Sequence, residues 1–261
     1  MMHDVVRPLR FAPCAPAYSR FARIYDRTIG NNFFAQLRRV FEKIIRRNRI
    51  KFSSAADLGC GTGQFARYLN SCWKIPVFGI DRPPAMLRVA FRRCHGRPII
   101  LLRQDMREFQ LPQLVDLVTA NFDTINYLTD ERDVQHLFKR VHSQLKPGGH
   151  FIFDVITPCA QRSVTRRFGI VNGPVFERIF QRIRWFPRRH IFVSQMEFFR
   201  STTRRRTVEH HQQRAYRPEH IARWLADAGF IVRDALDPST MRPATHCPAR
   251  LVVVAQKCPY R

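Results

Sequence analysis

The chain has 261 residues, 45% of them hydrophobic, which is enough to bury a sizeable core, and its formal net charge is +25. No apolar stretch approaches the roughly 20 residues needed to cross a bilayer, and Pro13 and Pro16 interrupt any apolar signal core behind Arg7 and Arg10, so no membrane is involved and the expected compartment is the cytoplasm. Seven cysteines without a CxxC pair, and histidines without HExxH spacing, predict reduced structural thiols and no metal.

Residues 1–17 contain prolines and no periodicity, and are expected to form an irregular lead-in to one domain over 18–261. Two helical segments follow. The second sets Phe33, Phe34, Leu37, Val40, Phe41, Ile44 and Ile45 on one stripe and leaves Arg38, Lys43, Arg46 and Arg47 to solvent. From Ser54 strands and helices alternate: strand Ala55–Leu58, helix Gln64–Leu69, strand Val77–Ile80, helix Ala85–Arg93, then strands Ile99–Arg103 and Leu114–Ala120. Helix Asp130–Leu145, with Val134, Leu137, Phe138, Val141 and Leu145 on its buried stripe, and strand His150–Ile156 continue the series. This rhythm predicts an α/β fold, doubly wound around a mostly parallel sheet covered on both faces.

The rhythm breaks over 157–216, where strand-like runs at His190–Thr203 and Arg205–Tyr216 predict an antiparallel insertion over one end of the sheet. Phe176, Ile179, Phe180 and Ile183 fit a helix as well as a strand. In the last run, two-residue alternation puts Val208, His210, Gln212, Arg214 and Tyr216 on one face. With Val208 and Tyr216 tied to the core, His210 and Arg214 are expected to face the space above the sheet edge. A helix at Pro218–Ala228, stopped by Gly229, and strands Ile231–Ala235 and Leu251–Gln256 close the chain.

Chemistry concentrates at the carboxyl ends of the first strands. Ala56-Asp57-Leu58-Gly59-Cys60-Gly61-Thr62-Gly63 runs a strand through a glycine-rich turn into a helix, where backbone N–H groups meet a ligand. Asp81 ends the second strand, placed to accept ribose hydroxyls, and Asp105 ends the third, suited to an adenine amino group with Met106 against the ring. Either aspartate alone is as readily a cap or turn residue. Three ligand-type positions on three consecutive strand ends make a nucleoside site, because open α/β sheets bind ligands along that edge.

Asp57-Leu58-Gly59-Cys60-Gly61-Thr62-Gly63, Gly79-Ile80-Asp81, Gln104-Asp105-Met106 and Leu145-Lys146-Pro147-Gly148-Gly149 resemble the successive motifs of class I SAM-dependent methyltransferases. The resemblance implies a seven-stranded Rossmann-like sheet, S-adenosyl-L-methionine as cofactor, and transfer of its methyl group to a small-molecule nitrogen or oxygen. It brings Gly59, Gly61 and Gly63 to the methionine part of SAM, Asp81 to the ribose, and Asp105 and Met106 to the adenine, with Cys60 and Arg82 among the cofactor contacts. Gln64 stands where a dinucleotide fold has its last glycine, which disfavours a dehydrogenase. Tyr18 to Asp26 resembles the N-terminal helix that folds over the cofactor in the small-molecule branch, so Tyr18 and Tyr25 join Asp57, Asn121 and Phe122 among the expected cofactor contacts. Asn121-Phe122-Asp123-Thr124-Ile125-Asn126-Tyr127-Leu128 resembles the acceptor loop of enzymes acting on amino sugars and glycine, and lacks the Pro-Pro-aromatic element of exocyclic-amine base methyltransferases. Asp123, Tyr127 and His210 are the candidate bases or positioners, and Asn126, Arg214 and, from the lid strand, His210 the candidate acceptor contacts.

The charge guarantees weak, sequence-independent attraction to nucleic acid. Two rival readings share the cofactor motifs: an RNA methyltransferase docking by its basic surface, and a SAM-binding protein without catalysis.

Overall fold

The computed structural model describes residues 14–160, 164–172, 175–200, 206–245 and 247–259. In chain order the main elements are α1 (Asn31–Arg47), β1 (Ala55–Leu58), α2 (Gln64–Trp73), β2 (Val77–Asp81), α3 (Pro84–Cys94), β3 (Ile99–Arg103) and β4 (Val115–Ala120). Then come α4 (Glu131–Gln144), β5 (Leu145–Ile156), β6 (Val164–Asn172), β7 (Val175–Phe186), β8 (Ile191–Arg200) and β9 (Arg206–Arg214), followed by α5 (Pro218–Asp227), β10 (Phe230–Asp237) and β11 (Arg250–Lys257).

The central sheet has the order β10-β11-β5-β4-β1-β2-β3, with the two-residue strand Arg242–Pro243 beyond β10. Strands β1 to β5 are parallel, and β11 runs antiparallel between its neighbours β5 and β10. Every residue of β1 is buried, the pattern of a strand covered on both faces. On one face α1 and α2 supply Phe41, Ile44, Phe65 and Leu69 to a core with Leu117 and Val254; on the other, Val134, Leu137, Phe138, Trp224 and Leu225 of α4 and α5 pack on Phe151 and Phe153. The register aligns Asp57 with Gly79 and Asp81 with Arg103, so the carboxyl ends of β1, β2 and β3 open on one edge.

Over that edge stands a second sheet in which β6, β7, β8 and β9 pair antiparallel in chain order. The segment holding Phe176, Ile179, Phe180 and Ile183 is therefore strand, paired along β8. Parts of the expected insertion (161–163, 173–174 and 201–205) and of the lead-in (1–13) lie outside the described residues. Cys14–Ala15 departs from the irregular lead-in by pairing parallel with β9. After it, the turns Phe21–Arg23 and Asp26–Gly30 wedge between the second sheet and α3. Phe21 and Ile24 pack on Ile179, Met196 and Phe198, while Ala22 packs on Ala85 and Met86.

The expectation of reduced thiols throughout is corrected at one pair, since Cys159 and Cys247 are disulfide-bonded across 88 residues of sequence. Cys159 follows β5 and Cys247 precedes β11, which are antiparallel neighbours, so the sheet brings together cysteines whose spacing carries no signal. Among the described residues no helix is long and apolar enough to cross a membrane.

Candidate active site

A cavity of about 800 Å³ lies along the carboxyl ends of β1 to β4, beneath the N-terminal segment. Its floor is the turn after β1. Gly61 has φ +56°, and a Cβ there would meet nothing nearer than 3.9 Å, so open space faces the backbone. Gly59 and Cys60 also line the cavity, and a Cβ on Gly59 would strike the Thr124 side chain. Gly63, expected among the cofactor contacts, is placed differently from Gly59 and Gly61. It lies off the cavity wall, in the left-handed region at φ +77° before α2, where a Cβ would stand 3.0 Å from Cys94 Sγ and 3.1 Å from Ala90 Cβ; it lets α2 pack against α3.

The wall carries three carboxylates in different states. Asp57, 2% exposed, accepts a 2.8 Å hydrogen bond from the Thr119 hydroxyl, and burial pushes its carboxyl up to about 7. Asp81 accepts from the Gly61 and Arg82 backbone N–H groups, both at 2.7 Å; burial outweighs these bonds and raises it to about 6. Asp105 goes the other way, to about 2, because Arg107 grips both its oxygens at 3.0 and 2.8 Å. Arg82 and Met106 also line the cavity. Asn121 and Phe122 form the wall at the end of β4, and the buried Asn121 Nδ2 has no hydrogen-bond acceptor among the described residues.

The roof belongs to the N-terminal segment, which contributes Tyr18 and Tyr25 to the wall. It is pinned to the glycine-rich turn through Asp26, which accepts from the Thr62 hydroxyl at 2.7 Å and pairs with Arg93 at 2.6 Å. Tyr127 reaches the cavity from the loop after β4, and its hydroxyl lies 2.5 Å from that of Tyr18. Burial pushes both phenols above their ordinary range.

The remaining expected acceptor residues stand elsewhere. Asp123 is off the cavity wall: it and Phe122 take left-handed backbone (φ +61° and +58°), and its carboxylate pairs with Arg250, which also holds Asp154. Asn126 is fully buried and structural. Its amide donates to Ile156 O (3.1 Å) and Arg214 O (2.7 Å) and accepts from Ile156 N (2.9 Å), tying the loop to β5 and β9. Arg214 pairs with Glu131 at 2.5 Å in a separate groove bordered by Arg188, Arg189 and Arg217. His210 is exposed, whereas its neighbour His211 is buried and accepts or donates at 3.1 Å to the Tyr127 hydroxyl. The expected face of β9 is thus off by one residue. The strand ends at Arg214, so Tyr216, buried through the following coil with its hydroxyl on Leu128 O, does not mark the strand's phase. Glu209 and His211 are the residues missed; their signal was the alternate face of the same run.

The open space at Gly61, the Asp81 carboxylate beside it with lone pairs beyond its two backbone bonds, and the Asn121 Nδ2 that lacks a hydrogen-bond partner fit SAM. A family model described as "Methyltransferase domain" matches residues 55–149. Over 92% of this chain and 99% of its own, an S-adenosylmethionine-dependent methyltransferase from Clostridium acetobutylicum ATCC 824 is 25% identical, with a TM-score of 0.76. The sugar N-methyltransferase KedS8 from Streptoalloteichus sp. ATCC 53650 has the same fold (TM-score 0.77, 19% identity, 99% of both chains). The dTDP-3-amino-3,6-dideoxy-alpha-D-glucopyranose N,N-dimethyltransferase of Streptomyces fradiae is 30% identical over 106 residues, spanning 41% of this chain and 40% of that enzyme.

Proposed function

We propose that this chain, like the SAM-dependent methyltransferases it resembles, methylates an amine or hydroxyl of a small molecule, with a nucleotide-linked amino sugar the first acceptor to try. The observation that carries this reading is the roof. Tyr18 to Gly30 packs on the second sheet and on α3 at once, so the space above the strand ends is a roofed cavity with three phenols in its wall, sized for a cofactor and a small partner.

SAM supplies a methyl group on a positively charged sulfur, already activated for displacement. The protein's part is to align the nucleophile and exclude water. In this reading Asp81, with Arg82 beside it, takes the ribose hydroxyls, and Asp105 and Met106 take the adenine. Gly59, Cys60 and Gly61 approach the methionine part, with Asp57 and Asn121 behind them. Tyr18, Tyr25, Phe122 and Tyr127 surround the reacting end. An amine acceptor must be neutral to attack, and a chamber that withholds water favours that form.

The test is incubation with methyl-labelled SAM and, in parallel, free amino sugars, nucleotide-linked amino sugars, a small-metabolite extract and total RNA. Label on a small molecule is expected. Label confined to one RNA position overturns the reading in favour of an RNA enzyme, and SAM binding without label anywhere overturns it in favour of a binding protein.

A further inference from the structure

Behind Tyr18 and Tyr127, two of the three phenols of the cavity wall, lies a buried polar chain that no cofactor contact explains. The Tyr18 and Tyr127 hydroxyls are 2.5 Å apart, the Tyr127 hydroxyl is 3.1 Å from His211 Nδ1, and His211 Nε2 is 3.5 Å from Glu209 Oε2. His211 is 4% exposed and Glu209 fully buried. Burial alone would raise the Glu209 carboxyl, but it sits below its ordinary value because His211 and a set of N-terminal donors outweigh that cost. Oε1 accepts from Arg20 N (2.5 Å), Ser19 Oγ (3.0 Å) and Phe21 N (3.2 Å), and Oε2 from Tyr18 N (2.9 Å).

An ionised carboxylate can only accept, which sets the direction of every bond upstream. The 3.5 Å contact between His211 Nε2 and Glu209 makes no hydrogen bond, but a bare Nε2 lone pair facing the carboxylate would be repelled, so His211 carries its proton on Nε2 and presents a bare Nδ1. Tyr127 then donates its O–H to Nδ1, and its oxygen accepts the Tyr18 O–H. The Tyr18 oxygen is left with lone pairs and no proton to offer the cavity. We propose that Tyr18, Tyr127, His211 and Glu209 form a one-way relay that accepts the N–H or O–H of the methyl acceptor at Tyr18 and delivers its proton to His211.

The inference rests on the small-molecule reading above. As the bond from the acceptor atom to the methyl carbon forms and the sulfur–carbon bond breaks, the acceptor loses a proton. That proton goes to the Tyr18 oxygen, the Tyr18 proton to Tyr127, and the Tyr127 proton to Nδ1. The positive charge that leaves the sulfonium ends on the imidazolium, beside the Glu209 carboxylate. Both phenols begin and end neutral, which agrees with burial pushing them up. Glu209 is the charged group against His211; Tyr18 and Tyr127 face it from the other packed segments, Ser194 is its uncharged partner across β8, and Asp81 and Asp123 bear on the phenols from farther away. Tyr18 is then catalytic, while Tyr127, His211 and Glu209 position and pass the proton.

The first test needs no acceptor. Nitrogen-15 histidine spectra of the full chain at pH 8, with the His211→Gln variant to assign the signal, should give the tautomer with a proton on Nε2 and a bare Nδ1. Tyr127→Phe should move the Nδ1 shift. The opposite tautomer, or a His211 signal indifferent to Tyr127→Phe, overturns the relay. The second test uses dTDP-3-amino-3,6-dideoxyglucose as acceptor. His211→Gln should keep SAM affinity within about 2-fold by calorimetry and leave KM nearly unchanged. It should lower kcat by about 10²- to 10⁴-fold. A kcat within 3-fold, or a loss confined to KM, also overturns the relay. Failure of the native protein to methylate that sugar counts against the proposed acceptor class, while the spectra still decide the relay.

Discussion

Replacing Asp81 by Asn should weaken SAM binding while making the free protein more heat-stable. The carboxylate has two demands on it, a pair of backbone N–H groups at 2.7 Å and the ribose hydroxyls assigned to it. Its rise from the ordinary 3.8 to about 6 means that the free fold carries an ionised group it would rather protonate, a cost on the order of 3 kcal/mol at neutral pH. The cost is full above about pH 6 and disappears below the unfolded value near 4, so the free fold gains stability as pH falls through that window. The amide removes the charge but turns one acceptor into a donor facing an N–H, returning about 1–2 kcal/mol of the gain. The net stabilisation of about 1–2 kcal/mol corresponds to roughly 2–8 °C in Tm for a chain of this size. Binding loses at least one charge-assisted hydrogen bond, worth about 1.5–3 kcal/mol, or roughly 10- to 150-fold in Kd. In the native protein, affinity should also fall as pH drops through about 6 and the carboxylate takes up its proton; the Asp81→Asn variant should lack that part of the dependence. Calorimetry and thermal melts across pH 5–8 measure both. Native affinity in the folded variant, or a lower Tm together with lost affinity, would refute the assignment of Asp81 as a strained ligand group.

The glycines of the turn should separate by role. Gly61→Ala, whose new methyl meets open cavity, should cost about 1–2 kcal/mol of backbone strain yet abolish measurable SAM binding, whereas Gly63→Ala should cost more stability in urea and spare the affinity of the folded fraction. Asn126→Ala should destabilise by about 2–4 kcal/mol by orphaning the Ile156 and Arg214 backbone groups; an unchanged urea midpoint with a raised acceptor KM would restore Asn126 as a substrate contact. RNA retention on filters should vanish between low and physiological salt, by about 0.7 log units per log unit of salt for each phosphate contacted, while methyl transfer to a small molecule stays nearly flat; salt-resistant retention would revive the RNA reading.

What the sequence made legible follows the reach of each interaction. The cofactor edge is local chemistry: glycines and aspartates at strand ends, each declared by the few residues around it, and the parallel sheet, whose register sets Asp57 beside Gly79 and Asp81 beside Arg103, opens those ends on one edge. Gly63 shows the limit even there. Its left-handed backbone reads the same whether the open side faces a ligand or, as here, the flank of α3. In the second sheet the limit is reached sooner. Glu209 carries the polarity of a surface residue and is the most buried position of its strand, because the donors that satisfy it, the N–H groups of Tyr18, Arg20 and Phe21, come from about 190 residues earlier in the chain. Alternation reports which side of a strand is apolar, so it assigns a satisfied buried carboxylate to the solvent side, and His211 with it. The same argument covers Asp123 and Arg214, whose counter-charges, Arg250 and Glu131, sit on other elements. A charged residue's side of a strand is thus decided by its distant partner, and in this fold those partners are what turn the expected contacts away from the cavity and bring the Glu209 and His211 pair behind its phenols.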